Sequence, residues 1–436
     1  MMLIKNFRNI FSIPELRRKL LFTLGVLVVS RLGTFIPVIG VNVPLLGEYM
    51  RGASMLGGLL QYLDIFSGGN LGQATLFALG IGPYITASIM MQMLGMTIPY
   101  LEQLSKEGDF GRRVISQYTR YLAVGLSIVY SMAFAILLES KGLALSPGLG
   151  FKFIFVLSLT VGCLFVMWLG EQISLFGIGN GSSMIIFSGI VARFPEYIIK
   201  TKAMVDAGSM EVWQSLLLIV LFVLICACIV FLEKGERKIP VQYARRVVGQ
   251  RVYGGQSSYI PFKINVSGVM PVIFAQTILG LPLTLATFLS SYAIFRYFLE
   301  WFAPNGPLYM AFDFLLIIFF SFVYTALVFK PEELAENIQK SGGFVPGIRP
   351  GNKTAQFFNY ILTRIGLVGA VYLALLALSP GLVNLILRIP FFIGGTSLLI
   401  VVGVALETAS QIEAYLIEHR YEGFLTTGRL KNKVAR

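Results

Sequence analysis

The sequence predicts an all-α polytopic membrane protein with ten transmembrane helices in two inverted, pseudo-symmetric five-helix halves. Three observations carry that expectation: apolar runs of about 20 residues recur along the whole chain, basic residues are placed unevenly between them, and short Gly-containing motifs repeat in corresponding runs. With 436 residues, 56% hydrophobic, 13% charged, and a mean hydropathy of +0.76, the composition excludes a water-soluble domain.

The apolar runs lie near residues 20–40, 72–95, 120–139, 153–173, 181–199, 212–233, 265–288, 309–330, 358–379 and 390–417. Lys5, Arg8, Arg17, Arg18 and Lys19 precede the first run, which is long and lacks a small-residue cleavage site, so a retained first span is expected rather than a signal peptide. Of the 35 Lys and Arg residues, 25 fall in the two tails and the 96–120, 234–264 and 330–357 loops. Since Lys and Arg resist translocation, both termini and these loops are expected in the cytoplasm. Arg31 and Arg364 fall inside spans and are expected to snorkel or pair. Cys163, Cys226 and Cys228 all lie in apolar runs, and His419 is the only histidine. No cofactor, metal site or nucleophilic triad is therefore expected, and enzymatic chemistry has little to stand on.

The repeats pair the second run with the seventh and the fifth with the tenth. Gly80-Ile-Gly-Pro83-Tyr-Ile85 and Gly268-Val-Met-Pro271-Val-Ile273 are both G-x-x-P-x-I. Gly181-Ser-Ser-Met-Ile-Ile186 and Gly395-Thr-Ser-Leu-Leu-Ile400 match in residue class at every position. With five spans per half, each pair crosses the membrane in opposite directions, and Ile85, Ile186, Ile273 and Ile400 are expected to converge near mid-membrane. The neighbouring Gly, Ser and Thr favour close helix approach over a lipid-facing surface.

The stretch 57–94 joins a short amphipathic segment (Leu59, Leu60, Leu63, Ile65, Phe66) to the second apolar run through Ser67-Gly68-Gly69-Asn70, whose glycines permit a pivot. Gly80-Ile-Gly-Pro83 predicts a helix disturbed in mid-membrane and facing protein or water. A constriction of isoleucines excludes water and so blocks ions by dewetting, and it offers no fixed partner to a small polar solute. Such a conduit, stoppered by a movable segment, suits an extended polypeptide. A secondary transporter of a hydrophobic solute or lipid, gated by the same segment, is the alternative.

Phe66-Ser-Gly-Gly69, Gly111 to Arg120 (GRRVISQYTR), Trp168-Leu-Gly-Glu-Gln172, Gly177-Ile-Gly-Asn-Gly181, Tyr324 to Phe329 (YTALVF), Ser341 to Gly351 and Gly394 to Ile400 together resemble the SecY family, the protein-conducting channel of the bacterial general secretory pathway. The resemblance runs from about Ser12 onward. It implies an N-terminal half over 1–200, an external hinge loop over 201–211, a C-terminal half over 212–418 and a basic cytoplasmic tail over 419–436, arranged around a central pore. The implied pore ring is Ile81, Ile85, Ser182, Ile186, Ile273 and Ile400, with Ser182 departing from the apolar residue the family commonly has there. The implied plug, about 59–71, contains Leu60, Leu63, Asp64, Ile65, Phe66, Ser67, Gly68, Gly69 and Asn70. Thr86, Gln92, Asn265 and Leu281 map to a lateral gate that releases transmembrane segments into lipid. Implied partners are the small membrane subunits SecE and SecG, the SecA ATPase motor, the ribosome through large-subunit RNA and proteins, secretory preproteins with their signal sequences, and anionic lipids. The implied location is the bacterial cytoplasmic (inner) membrane.

Lys234, Arg237, Lys238, Arg245, Arg246 and Arg251 form a polybasic loop, and Arg349 is framed in the next loop by Gly347 and Pro350-Gly351. By resemblance these are the docking residues for motor and ribosome, where arginines meet phosphates or acidic side chains. The charge distribution makes a direct prediction. Single cysteines introduced at Ser257 and Gly347 in a cysteine-free background are labelled by an impermeant maleimide only from the cytoplasmic side, whereas labelling of either from the opposite side overturns the ten-span topology.

Overall fold

The computed structural model describes residues 13–51, 70–208, 211–243, 246–248, 251–253, 257–288, 306–387 and 395–434, and singly 295, 299 and 302. The chain forms two compact units. One comprises 1–204, 280–304 and 404–436, the other 205–279 and 305–403.

In the first unit, α1 (Pro14–Leu32) opens with Pro14 in its first turn, where the missing N–H is no loss, and ends in a short 3-10 turn, Gly33–Phe35. The chain is then extended to α2 (Val43–Arg51). Its backbone groups are satisfied laterally: Val38 N–H donates to Ala74 O at 2.9 Å, Leu76 N–H to Ile36 O at 2.8 Å, and Leu145 N–H to Gly40 O at 3.0 Å. The second apolar run is not one helix. Residues 71–81 form successive turns, and α3 spans Gly82–Thr97. The expectation of a proline disturbing a helix in mid-span is thus corrected: Pro83 stands in the first turn of α3, where it costs no hydrogen bond, and Gly80 takes φ +55° before it.

After α4 (Pro99–Lys106) come two long helices, α5 (Asp109–Ser140) and α6 (Leu149–Phe176). Their seam is the core of this unit, with Phe134 and Phe155 fully buried and edge-on at 5.6 Å beside Val38, Leu46, Leu71 and Ala74. Gly162 of α6 admits the 71–81 turns, since a Cβ there would lie 2.0 Å from Leu76 O. The fifth span is broken after α7 (Gly181–Val191), and α8 (Phe194–Asp206) follows with Pro195 in its first turn. Residues 201–206, expected in a loop, are the last turns of α8.

In the second unit, α9 (Val212–Lys234) starts from a reciprocal cap in which Glu211 N–H donates to Gln214 Oε1 at 3.1 Å. A small sheet follows that helix patterning did not anticipate. β1 (Glu236–Tyr243) is central, pairing antiparallel with β4 (Ser257–Lys263) and β5 (Gly343–Phe344), while β2 (Arg246–Val248) and β3 (Arg251–Tyr253) form a separate hairpin. Its inner face, Ile239, Val241 and Phe262, packs on Ala335, Ile338 and Phe358. Those partners come from α12 (Pro331–Lys340) and α13 (Asn352–Leu387). The remaining helices are α10 (Met270–Phe288), α11 (Pro307–Val328) and α14 (Gly395–Val434), and the partition between units runs through α10 and α14.

Among the described residues seven helical stretches are long and apolar enough to cross a membrane. The first, second and seventh expected spans are not among them, because α1 holds five charged residues, α3 is 16 residues long after the 71–81 turns, and the apolar stretch counted within α10 is Met270–Gly280. In the second run hydropathy marks where the chain is apolar, not where its φ angles stay helical. The close approach at Gly162 yields a test. Gly162→Ala forces Leu76 O and the 71–81 turns outward and costs about 2 kcal/mol or more, lowering the thermal midpoint in detergent, while Gly125→Ala, where a Cβ meets nothing within 4 Å, leaves it unchanged.

Candidate functional site

The motifs at Gly80, Gly181 and Gly268 prove to be helix starts. Gly80 and Gly268 both take left-handed φ, +55° and +60°, and in each case the helix begins two residues later with the proline in its first turn. Gly181 is the first residue of α7, and Gly395 is the first described residue of α14. Ile85 and Ile273 consequently stand three residues into α3 and α10, and Ile186 five residues into α7, while Ile400 lies on α14.

In the first unit Ile81 and Ile186, both buried, line one cavity together with Asn70, Arg31, Ile185 and Ser188. Gly170 of α6 makes the room: a Cβ there would sit 3.2 Å from Ile81 Cδ1 and 3.4 Å from Ile185 Cδ1. Ile85 is half-buried on the next turn of α3. Ser182 lies in the first turn of α7, its hydroxyl donating to Asn180 Oδ1 at 2.7 Å. In the second unit Ile273 is half-buried and Ile400 is buried, and Gly403 of α14 admits Val269, whose Cγ2 a Cβ would meet at 2.5 Å.

Of the plug, Leu60, Leu63, Asp64, Ile65, Phe66, Ser67, Gly68 and Gly69 lie outside the described residues. Asn70 is buried, its carbonyl accepting from Thr75 N–H at 3.3 Å. Thr86 is buried and donates to Gly82 O at 3.1 Å, while the amide of Gln92 donates to Ser88 Oγ at 3.4 Å. Asn265 is buried and donates to Glu233 Oε1 at 2.7 Å and to Gly268 O at 2.9 Å, which fixes the turn that launches α10. Leu281 is on α10, its side chain outside the described residues.

The three-stranded sheet carries Arg237, Lys238 and Lys263, while Lys234 ends α9 and Arg246 and Arg251 are on the separate hairpin. Lys234, Arg237, Lys238 and Lys263 are exposed, and the side chains of Arg245, Arg246 and Arg251 are outside the described residues. The Lys238 ammonium sits 4.7 Å over the Tyr259 ring and 3.3 Å from Glu236 Oε1. The hydrogen bond to Glu236, then the charge of Tyr259, raises its pKa above the ordinary lysine value, so it stays charged throughout the neutral range. Arg349 is exposed on a loop held by left-handed Gly347 (φ +82°) and Gly351 (φ +96°), and its carbonyl accepts from Thr354 Oγ1 at 3.1 Å.

Residue patterns missed a buried polar cluster in the second unit. The Gln276 amide donates to both Asp313 oxygens at 3.1 and 3.0 Å, and Tyr309 OH donates to Gln276 Oε1 at 3.3 Å, tying α10 to α11. An acid within an apolar run was its only signal. Arg120 and Glu171 form a two-point ion pair at 2.8 and 2.9 Å between α5 and α6. Arg364, expected to snorkel or pair, lies 4.3 Å over the Tyr360 ring. Among the described residues no group of His, Cys, Asp and Glu fits a metal ion.

A family model described as SecY matches residues 75–409. The protein translocase subunit SecY of Thermus thermophilus is 43% identical over 438 residues, covering 99% of this chain and 100% of its own. The fold is similar to the solved structure of a protein-conducting channel, with a TM-score of 0.65 and 19% identity over 91% of this chain and 92% of that one. It is also similar to Sec61 from the canine ribosome-channel complex of the endoplasmic reticulum, with a TM-score of 0.62 and 19% identity over the same shares.

Proposed function

Because the chain belongs to the SecY family, we propose that it is the central channel subunit of a preprotein translocase. In this role it passes unfolded secretory polypeptides across the membrane and releases transmembrane segments sideways into lipid. It is a conduit, not an enzyme, and it has no nucleotide-binding motif, so the energy for transport comes from a partner.

The observation that carries the reading is the matched placement of Ile85 and Ile273, each three residues into a helix that begins two residues after a left-handed glycine. Equal offsets from the helix start give the two the same place and rotation on their helices, as inverted halves over 1–200 and 212–418 require. With Ile81 and Ser182 they form the pore ring, sealed on its outer side by the plug over 59–71, and the 201–211 segment is the hinge. Thr86, Gln92, Asn265 and Leu281 belong to the lateral gate.

The docking surface for a SecA-type motor and the ribosome consists of Lys234, Arg237, Lys238, Arg245, Arg246, Arg251 and Arg349. Its support is the seating of the sheet strand that carries Arg237 and Lys238, since burying Phe262 in the neighbouring strand alone contributes about 2–3 kcal/mol. Small SecE and SecG subunits and anionic lipids complete the assembly, with both termini in the cytoplasm of a bacterial inner membrane.

Two barriers in series seal the resting channel. Ile400→Asn alone, or deletion of residues 60–70 alone, therefore gives brief, flickering ion conductance in reconstituted bilayers without substrate, and the combination gives sustained conductance. A combined variant as tight as the parent refutes the pore ring. Ser182→Ile completes the apolar ring and lowers any basal leak. Arg349→Glu reverses the docking contact, so export at normal protein levels collapses while membrane insertion of the channel is retained. Normal export by this variant removes Arg349 from the docking surface.

A further inference from the structure

The connection between α6 and α7, residues 177–181, is irregular backbone whose amide groups are met by side chains of three different helices. Gly177 N–H donates to Ile173 O at 2.7 Å within the end of α6. Ile178 N–H donates to Thr23 Oγ1 of α1 at 3.0 Å, Gly179 N–H to Gln411 Oε1 of α14 at 2.9 Å, and Gly181 N–H to Ser174 Oγ of α6 at 2.9 Å. The N–H groups of Ser182 and Ser183 then turn to Asn180 Oδ1, the N-cap of α7, at 3.1 and 3.5 Å. All of these residues lie in the first unit.

Sterics leave the connection no slack. A Cβ on Gly181 would lie 1.8 Å from Gly170 O, so α7 begins in backbone contact with α6. A Cβ on Gly177 would lie 2.5 Å from Thr23 Oγ1, and Gly179 takes φ +84°. Thr23 and Ile178 are both almost fully buried, at 3% and 2% exposure, so their bond has no water to replace it. The Thr23 hydroxyl is itself aimed by donating to Lys19 O at 2.9 Å, which leaves its lone pair for Ile178. Gln411 is eleven residues beyond Ile400 on α14, about 16 Å along the helix axis.

We propose that Thr23 and Gln411 are positioning residues for the seal: by holding the 177–181 connection they fix the height and rotation of α7, and with it Ser182 and Ile186, without lining the passage themselves. The inference rests on the reading that Ile186 belongs to the pore ring. The acceptor oxygen is the required feature of each residue, not its size. Thr23→Val keeps the shape and loses the acceptor, whereas Thr23→Ser keeps the acceptor. Gln411→Leu loses the acceptor, whereas Gln411→Glu keeps a carboxylate oxygen for Gly179 N–H.

The test is single-channel conductance of these four variants, each in the assembled translocase reconstituted without substrate, with Ile186→Asn alongside. Thr23→Val and Gln411→Leu are expected to raise the fraction of time spent conducting by roughly ten-fold, the scale of one lost buried hydrogen bond. Thr23→Ser and Gln411→Glu are expected to stay within about two-fold of the parent. If Ile186→Asn leaks while Thr23→Val and Gln411→Leu stay tight, the positioning role is wrong and the pore ring stands. If the acceptor-retaining variants leak as much as the acceptor-losing ones, side-chain bulk rather than the hydrogen bond is responsible, and the inference again fails. A silent Ile186→Asn refutes the pore-ring reading and this inference with it. Should Thr23→Val fail to assemble, the Gln411 pair, which sits on a different helix, decides alone.

Discussion

Inside a membrane, backbone that leaves the helix must find its hydrogen-bond partners within the protein, because lipid supplies none and each orphaned group costs several kcal/mol. Three irregular stretches inside or beside the apolar runs of this chain show how that is done. Residues 36–41 and 71–81 borrow from each other and from the segment after α5, as in the bonds from Val38 to Ala74 and from Leu76 to Ile36. The 177–181 connection borrows side-chain oxygens from Thr23, Ser174 and Gln411. Irregular backbone of this kind is tolerated only where it is packed in protein or faces a cavity. In this chain it leads directly into α3 and α7, the helices that carry Ile85 and Ile186.

From that constraint the polar residues of the apolar runs divide by task. Thr23 and Ser174 satisfy backbone, as does Asn265, which holds Gly268 O at the start of α10. Arg120 with Glu171, and Gln276 with Asp313, join neighbouring helices to each other. The four repeated isoleucines have no such duty, which is consistent with a surface selected to repel water rather than to bind a solute. Arg237, Lys238 and Lys263, by contrast, are displayed on a sheet whose inner face is anchored by Ile239, Val241 and Phe262.

The sequence made several features legible because they depend on composition or on strict pattern. Apolar runs marked most of the spans. The pairing of Gly80-x-x-Pro83 with Gly268-x-x-Pro271 located two equivalent elements before any geometry was known. What those motifs do locally was misjudged. A proline in the middle of an apolar run suggested a disturbed helix, but the left-handed glycine three residues earlier makes it a helix start, a distinction that hydropathy does not encode. The small sheet was missed because β1 and β4 each carry an internal proline, Pro240 and Pro261, and neither shows a clean apolar alternation, so their mutual pairing and their contact with α12 and α13 define them. Thr23 and Gln411 carry no motif at all. Their role comes from the meeting of helices separated by 155 and 232 residues from the groups they hold, which no local pattern reveals.

We propose that the four isoleucines of the paired motifs line the path of a translocating chain. Photo-crosslinking tests it most directly, with a photoreactive residue placed singly at Ile85, Ile186, Ile273 and Ile400, at the exposed positions Leu216 and Phe231 of α9 as controls, and with a secretory precursor arrested in mid-transit. Adducts to the precursor are expected at all four isoleucine positions and none at the α9 positions. Adducts at the α9 positions, or none at the four isoleucines while the precursor is demonstrably arrested, would contradict it.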